Sequence, residues 1–464
     1  MSGRIDFTMG FKTQGAGQKN ESSEGYRIYI LGNFSGQSAG SWEQRKIRAI
    51  DMDNFDQVMT QVNPLLEIGS GLSLTFKTLD DFHPDAWLEK VQIIADLQKL
   101  KRELNNPVTA AQAAEKIQAY YQSETKSEKA VTSVEPQASG ETQDDIMERL
   151  LGRKSVNTAS STQSVDQFIS QLISPHVKKE VEPQHQTLIK LIDSTISQFL
   201  RILLHNPDFQ NLEALWRATE ALVNEDLGDE QSVYLVDISQ AELLAELRKG
   251  SHSFEQILLN HVQSNDEVQD VLLIGDYSFS DSDDDKDTLR YCSQLAKASG
   301  GSFLGGAGEA LIESSILGDS ANVKSWAQYL NDINSDRVIL AYPRYLLRLP
   351  YGNKRDPIDA FEFEECSAIP QLEELLWGSS AFICARFLIK TSQGDTSQEQ
   401  LYFSDIPVFS FDQDGEKVLQ PATDVLLNEA QANALLSKGI SPLLGFRQRS
   451  GARLMAITPL FEKS

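Results

Sequence analysis

Between residues 122 and 165 the chain changes character. The stretch QSETKSEKAVTSVEPQASGETQ is built of Ser, Thr, Glu, Gln, Lys and Gly with few aromatics. Such a segment buries too little apolar area to offset the entropy lost on ordering, so it reads as a flexible linker. It divides the chain into a small N-terminal α/β unit (1–105), a joining segment (106–165) and a larger C-terminal α/β domain (166–464). One island interrupts the linker. In DDIMERLLGRKS, residues 144–155, the side chains of Ile146, Met147, Leu150 and Leu151 give a short helix one apolar face and Gly152 a stop. A helix this short is marginal alone in water, so it docks either on its own chain or on a partner.

On both sides of the linker the apolar pattern is that of an α/β protein. RIYIL (27–31) runs into the turn residues NFSGQ, and LSLTFKTL (72–79) precedes DDFHPDAW, after which Trp87, Val91, Ile94, Leu97 and Leu100 form a helical stripe. In the C-terminal region a stripe from Leu188 to Leu203 must stop before Pro207. Asn206 is placed as N-cap and Pro207 as first helical residue of a second helix, with Phe209, Leu212 and Trp216 as its packing core. Strand-like runs VYLVDI, VLLIGDYSF and RVILAYP then alternate with amphipathic helices, and LLGFRQRSGARLMAIT suggests a hairpin turning at Ser450 and Gly451. The expectation is layered sheets, largely buried, flanked by helices.

A formal charge of -25 removes the broad basic face on which binding to nucleic acid or an anionic membrane rests. Cys292, Cys366 and Cys384 lie too far apart for a disulfide framework or a zinc motif. The N-terminus has no secretory plan, and the most apolar window, 371–391, is broken by Glu373, Glu374, Arg386 and Lys390, so no membrane insertion and a cytoplasmic location are expected.

Searches for chemistry end in structural readings. The alternating aspartates of SDSDDDKD (280–287) lack the glycine and glutamate of a calcium loop and suit a helix start. The glycines of SGGSFLGGAGEA (299–310) form neither a P-loop nor a dinucleotide fingerprint and read as a turn at a strand end. Asp80, Asp81, His83 and Asp85 surround Pro84 and fit a helix start better than a metal site. No metal, cofactor or catalytic set is expected, although a triad assembled in space leaves no spacing to read. A cytoplasmic α/β enzyme is therefore the rival to a structural protein.

The longer motifs carry a resemblance. ILGNFSGQ (30–37), RAIDMDNFDQVM (48–59) and FKTLDDFHPDAW (76–87) resemble the small subunit of the bacterial type VI secretion contractile sheath (TssB/VipA). LLHNPDFQNLEALWRATEALV (203–223), VLLIGDYSF (271–279) and PRYLLRLPYGNKRDPIDAFEFEE (343–365) resemble its large subunit (TssC/VipB). The resemblance implies a non-enzymatic sheath component without cofactor, two subunits fused in one chain, and Arg348 paired with acidic neighbours. It implies as partners type VI sheath subunits or copies of itself, together with the inner tube, the baseplate and the AAA+ recycling ATPase, for which Ile146, Met147, Leu150 and Leu151 hold the position of the docking helix. It also implies a C-terminal region beyond the hairpin, which this chain, ending at Ser464, is expected to lack. A non-polymerising accessory (cap, nucleator or baseplate adaptor) is the alternative on that ground.

Overall fold

The computed structural model describes residues 25–36, 42–69, 71–106, 108–117, 185–225, 227, 231–250, 252–264, 270–313, 326, 328–392 and 401–460. The joining segment with Ile146, Met147, Leu150 and Leu151 lies outside the described residues.

The strands are, in chain order, β1 (Tyr26–Gly32), β2 (Arg48–Ala49), β3 (Leu65–Ile68), β4 (Leu72–Thr75), β5 (Ser232–Asp237), β6 (Asp270–Phe279), β7 (Ser302–Ala307) and β8 (Val338–Tyr342). There follow β9 (Tyr345–Leu346), β10 (Trp377–Gly378), β11 (Tyr402–Phe403), β12 (Phe409–Gln413), β13 (Glu416–Gln420), β14 (Ile440–Gly445) and β15 (Ala452–Leu454). The helices that matter below are α1 (Phe55–Val62), α2 (Trp87–Lys90), α3 (Gln92–Asn105), α4 (His185–Leu204), α5 (Pro207–Val223), α6 (Gln240–Lys249), α7 (Ser253–Gln263), α8 (Asp283–Ala298) and α9 (Ser380–Ser392).

Nine strands make one mixed sheet in the order β11-β15-β14-β8-β7-β6-β1-β5-β2. The block from β14 to β5 is parallel, and β2 and β15 add antiparallel strands at its two ends. The two sequence regions share this sheet. β1, from the N-terminal region, pairs with β5 on one side and β6 on the other, Ile28 standing opposite Val233 and Leu272. A strand so placed must be apolar on both faces, which is why YRIYILG reads as a continuous run rather than an alternating one. Ile28 and Ile30 point into the layer of α4, α5 and α9, and Tyr29 and Leu31 into the layer of α6, α7 and α8.

Local rules account for the remaining elements, with three adjustments to the sequence reading. The stripe after DDFHPDAW is two helices, because Val91 takes an extended conformation (φ -88°, ψ 110°) between α2 and α3 while keeping the apolar spacing. The strand expected over 72–79 ends at Thr75 and pairs with β3, which the sequence reading did not single out. In the glycine-rich stretch the turn is confined to Ser299 and Gly300 with a bend at Gly301, Ser302–Ala307 is β7 itself, and Glu309 opens a short helix. A Cβ on Gly305 would lie 2.8 Å from the Phe279 ring, so the aromatic packing of β6 demands a bare backbone there. The acidic loop is a helix start: Ser282 caps α8 by accepting from the Asp285 amide at 3.1 Å, Asp283, Asp284 and Asp285 fill the first turn, and Lys286 pairs with Asp281 at 2.5 Å.

Candidate functional site

The corner between α4 and α5 is the joint between the two regions. Asn206 Oδ1 accepts hydrogen bonds from the amides of Asp208 (3.0 Å) and Phe209 (3.1 Å), and Pro207 opens α5. Phe209, Leu212 and Trp216 are buried side by side on this helix. The ring partners of the two aromatics come from the N-terminal region. Phe209 meets Phe82 at 5.6 Å and Trp87 at 5.1 Å, and Trp216 meets Phe34 at 5.0 Å and Phe55 at 5.7 Å, all edge to face. The Trp216 indole N–H also donates to the carbonyl of Phe34 at 3.1 Å. DDFHPDAW supplies the opposite wall: Thr78 and Asp81 form a capping box, His83 caps the turn begun by Pro84, and the Trp87 indole donates to Asp81 O at 2.8 Å.

Beside the aromatic joint lies a buried ion network. Arg348 reaches Glu213 of α5 (Nε to Oε1, 2.8 Å) and forks onto Glu365 (2.7 and 2.9 Å). Arg217, one turn along α5, adds a second cation to Glu213 at 2.7 Å, and Tyr351 accepts from Arg217 at 3.2 Å while its ring lies under the Arg348 guanidinium. Burial works to raise the Glu213 carboxyl, and Arg348 and Arg217 more than offset it, so it is held below the ordinary glutamate range. The same carboxylates hold the Arg348 guanidinium charged against burial. Arg348 was expected to pair with acidic groups; the partners Glu213 and Glu365 were missed, as was Arg217. Only the four-residue spacing of Glu213 and Arg217 on an otherwise apolar stripe hinted at them. Further ties between the regions are Arg45 with Glu242 (2.8 Å), Lys101 with Asp193 (2.6 Å) and the Ser35 amide with Asp237 (3.0 Å).

At the carboxyl ends of β1, β5, β6, β7 and β8 lies a cavity of about 560 Å³ whose wall includes residues of both regions, among them Asn33, Asp208, Asp276 and Glu309. Among the described residues its lining contains no His, Cys or Lys. Among the described residues, no His, Cys, Asp and Glu side chains come together in a group fit to hold a metal ion, and Cys292, Cys366 and Cys384 are free thiols. What α5 and its surroundings offer is a packed aromatic joint with a buried ion network beside it.

Comparison with known proteins bears on the same residues. Residues 186–458, more than half of the chain, match VipB, the EvpB tail sheath N-terminal domain. The chain belongs to the VipB tail-sheath family. Residues 2–138 match the VipA family of the type VI secretion system, so a VipA-like and a VipB-like part stand in one chain. Against the type VI secretion system sheath protein TssC1 of Pseudomonas aeruginosa the chain is 25% identical over 330 residues, which cover 63% of it. The match spans 64% of that relative's length. The aromatic joint is thus one contact between the VipA-like and VipB-like parts. Among the described residues no helix is long and apolar enough to cross a membrane.

Proposed function

We propose that this chain is a non-catalytic structural component of a type VI secretion contractile sheath, in which the VipA-like and VipB-like parts form one covalent protomer. The observation that carries the reading is β1, a VipA-like strand hydrogen-bonded on both sides to VipB-like strands. A pair of parts that share a sheet moves as one body, which is what a subunit passing force along a tube requires. Other sheath subunits or copies of itself are its neighbours in this reading. The inner tube and baseplate lie beyond them, the setting is cytoplasmic, and the apolar face of Ile146, Met147, Leu150 and Leu151 serves the AAA+ recycling ATPase.

Electron microscopy of the purified chain, alone and mixed with separately expressed VipA-type and VipB-type subunits, tests this. The expected result is incorporation of the labelled chain into striated tubes. Exclusion from tubes in both preparations would sink the proposal. For the ATPase contact, replacing Leu150 and Leu151 by Asp should abolish retention on the immobilised ATPase and leave incorporation unchanged.

A further inference from the structure

The cavity at the strand ends has no part in the joint just described. Its position has a physical logic. The first strand of the parallel block, β1, is flanked by the second and third, β5 and β6, so the winding of the chain reverses between β1 and β6 and the loops diverge there to leave a crevice. The polar groups in its wall divide into two sets. Those of one set are already committed: Arg344 donates to Asp424 at 2.7 Å, the Gln240 amide to Asp285, Ser239 holds the first turn of α6, and Ser379 accepts from the Ala381 amide of α9. With its arginine paired and Asn206, Ser239 and Ser379 capping the nearby helix starts, the described residues of the crevice offer no free cationic group and few free amides to an anion such as a nucleotide.

The other set is Asn33, Asp208, Asn211, Asp276, Ser278 and Glu309, whose side chains make no hydrogen bond or ion pair among the described residues and all line the cavity. Asp276 is the telling member. It lies half-buried on β6 and opens onto the cavity without a cation to answer it among the described residues, so burial pushes its carboxyl up to about 7. The charged and titratable groups around it are Asp208 at the start of α5, Glu309 after β7, the Arg344 and Asp424 pair, and the Tyr277, Tyr342 and Tyr345 phenols. The free set is therefore rich in acceptors and net negative, but its carboxylates are not grouped to hold one metal ion. A ligand that satisfies them must carry several N–H donors and more than one positive charge, spaced along a flexible body.

We propose that this cavity binds a small organic polycation of the alkyl polyamine class, with ammonium groups answering Asp276, Asp208 and Glu309 and the amides of Asn33 and Asn211 taking the remaining donors. The volume of about 560 Å³ is in the range of small-molecule sites.

Isothermal titration calorimetry of the full chain with spermidine, in physiological salt at pH 8, is the test. The expected result is one saturable site, weakened at least tenfold in Asp276→Asn and unchanged in Asp412→Asn, an exposed carboxylate on β12. A cation that binds the ionised carboxylate displaces its proton below pH 7, so affinity should fall about tenfold between pH 8 and pH 6. Where Asp276→Asn fails to fold, as judged by circular dichroism, Glu309→Gln and Asp208→Asn carry the test with losses of several-fold each. Capped lysine, which has one ammonium, should bind far more weakly than spermidine. Absence of a saturable site, equal losses in Asp412→Asn and the cavity variants, or tighter binding of capped lysine would each overturn the assignment.

Discussion

Trp216 shows how much one side chain carries here. It is fully buried, meets two rings of the VipA-like part and donates its only N–H to that part's backbone. Trp216→Ala should cost about 3–5 kcal/mol, the range for removing a large aromatic from a core, and lower the midpoint of denaturant unfolding accordingly. Glu213 makes a different prediction. Because its carboxyl is held below the ordinary glutamate value of 4.5, it lends stability in full above that pH and loses it as pH falls through the lower folded value. The stability advantage of the native chain over Glu213→Gln should therefore be constant near neutrality and shrink in acid; an advantage that grew in acid would contradict the sign. The first residue was legible in the sequence because an N-cap, a proline and a stripe are local signals. The network around the second was not, because Arg348 and Glu365 lie far along the chain and no periodicity links them to α5.

The elements divide in the same way. Long strands such as β6 and capped helices such as α5 announce themselves through apolar runs and end residues, whereas the short β2, β3 and β9 have too few residues for a pattern. Where β1 sits could not be read at all, because the composition of a buried parallel strand says that it has two neighbours without saying which. Its position yields a third prediction. With hydrogen bonds to β5 and β6 and with Ile28, Tyr29, Ile30 and Leu31 fully buried, the VipA-like part should stay attached after the backbone is cut between residues 122 and 140. Size-exclusion chromatography of the cut protein at micromolar concentration should give one peak holding both fragments, and two separate peaks would refute the shared sheet.

At the scale of the whole molecule, the net charge of -25 opposes the packing of copies side by side. Tube formation should therefore be poor at about 0.01 M salt, where charges act over roughly 30 Å, and improve near 0.15 M, where they act over about 8 Å. A sedimentation assay of mixtures with separate sheath subunits reads this directly, and a yield that falls steadily with salt would mean that opposite charges hold the neighbours together. The shared sheet also sets a timetable for biosynthesis. β1 leaves the ribosome first, but β6 follows roughly 240 residues later, which is on the order of 10–50 s at ordinary rates of translation. Until β5 emerges, shortly before β6, one of the most apolar strands of the molecule has neither neighbour. Whatever shields the nascent chain must therefore hold β1 until β6 emerges, and the tether then makes its capture a first-order event independent of the abundance of a second polypeptide.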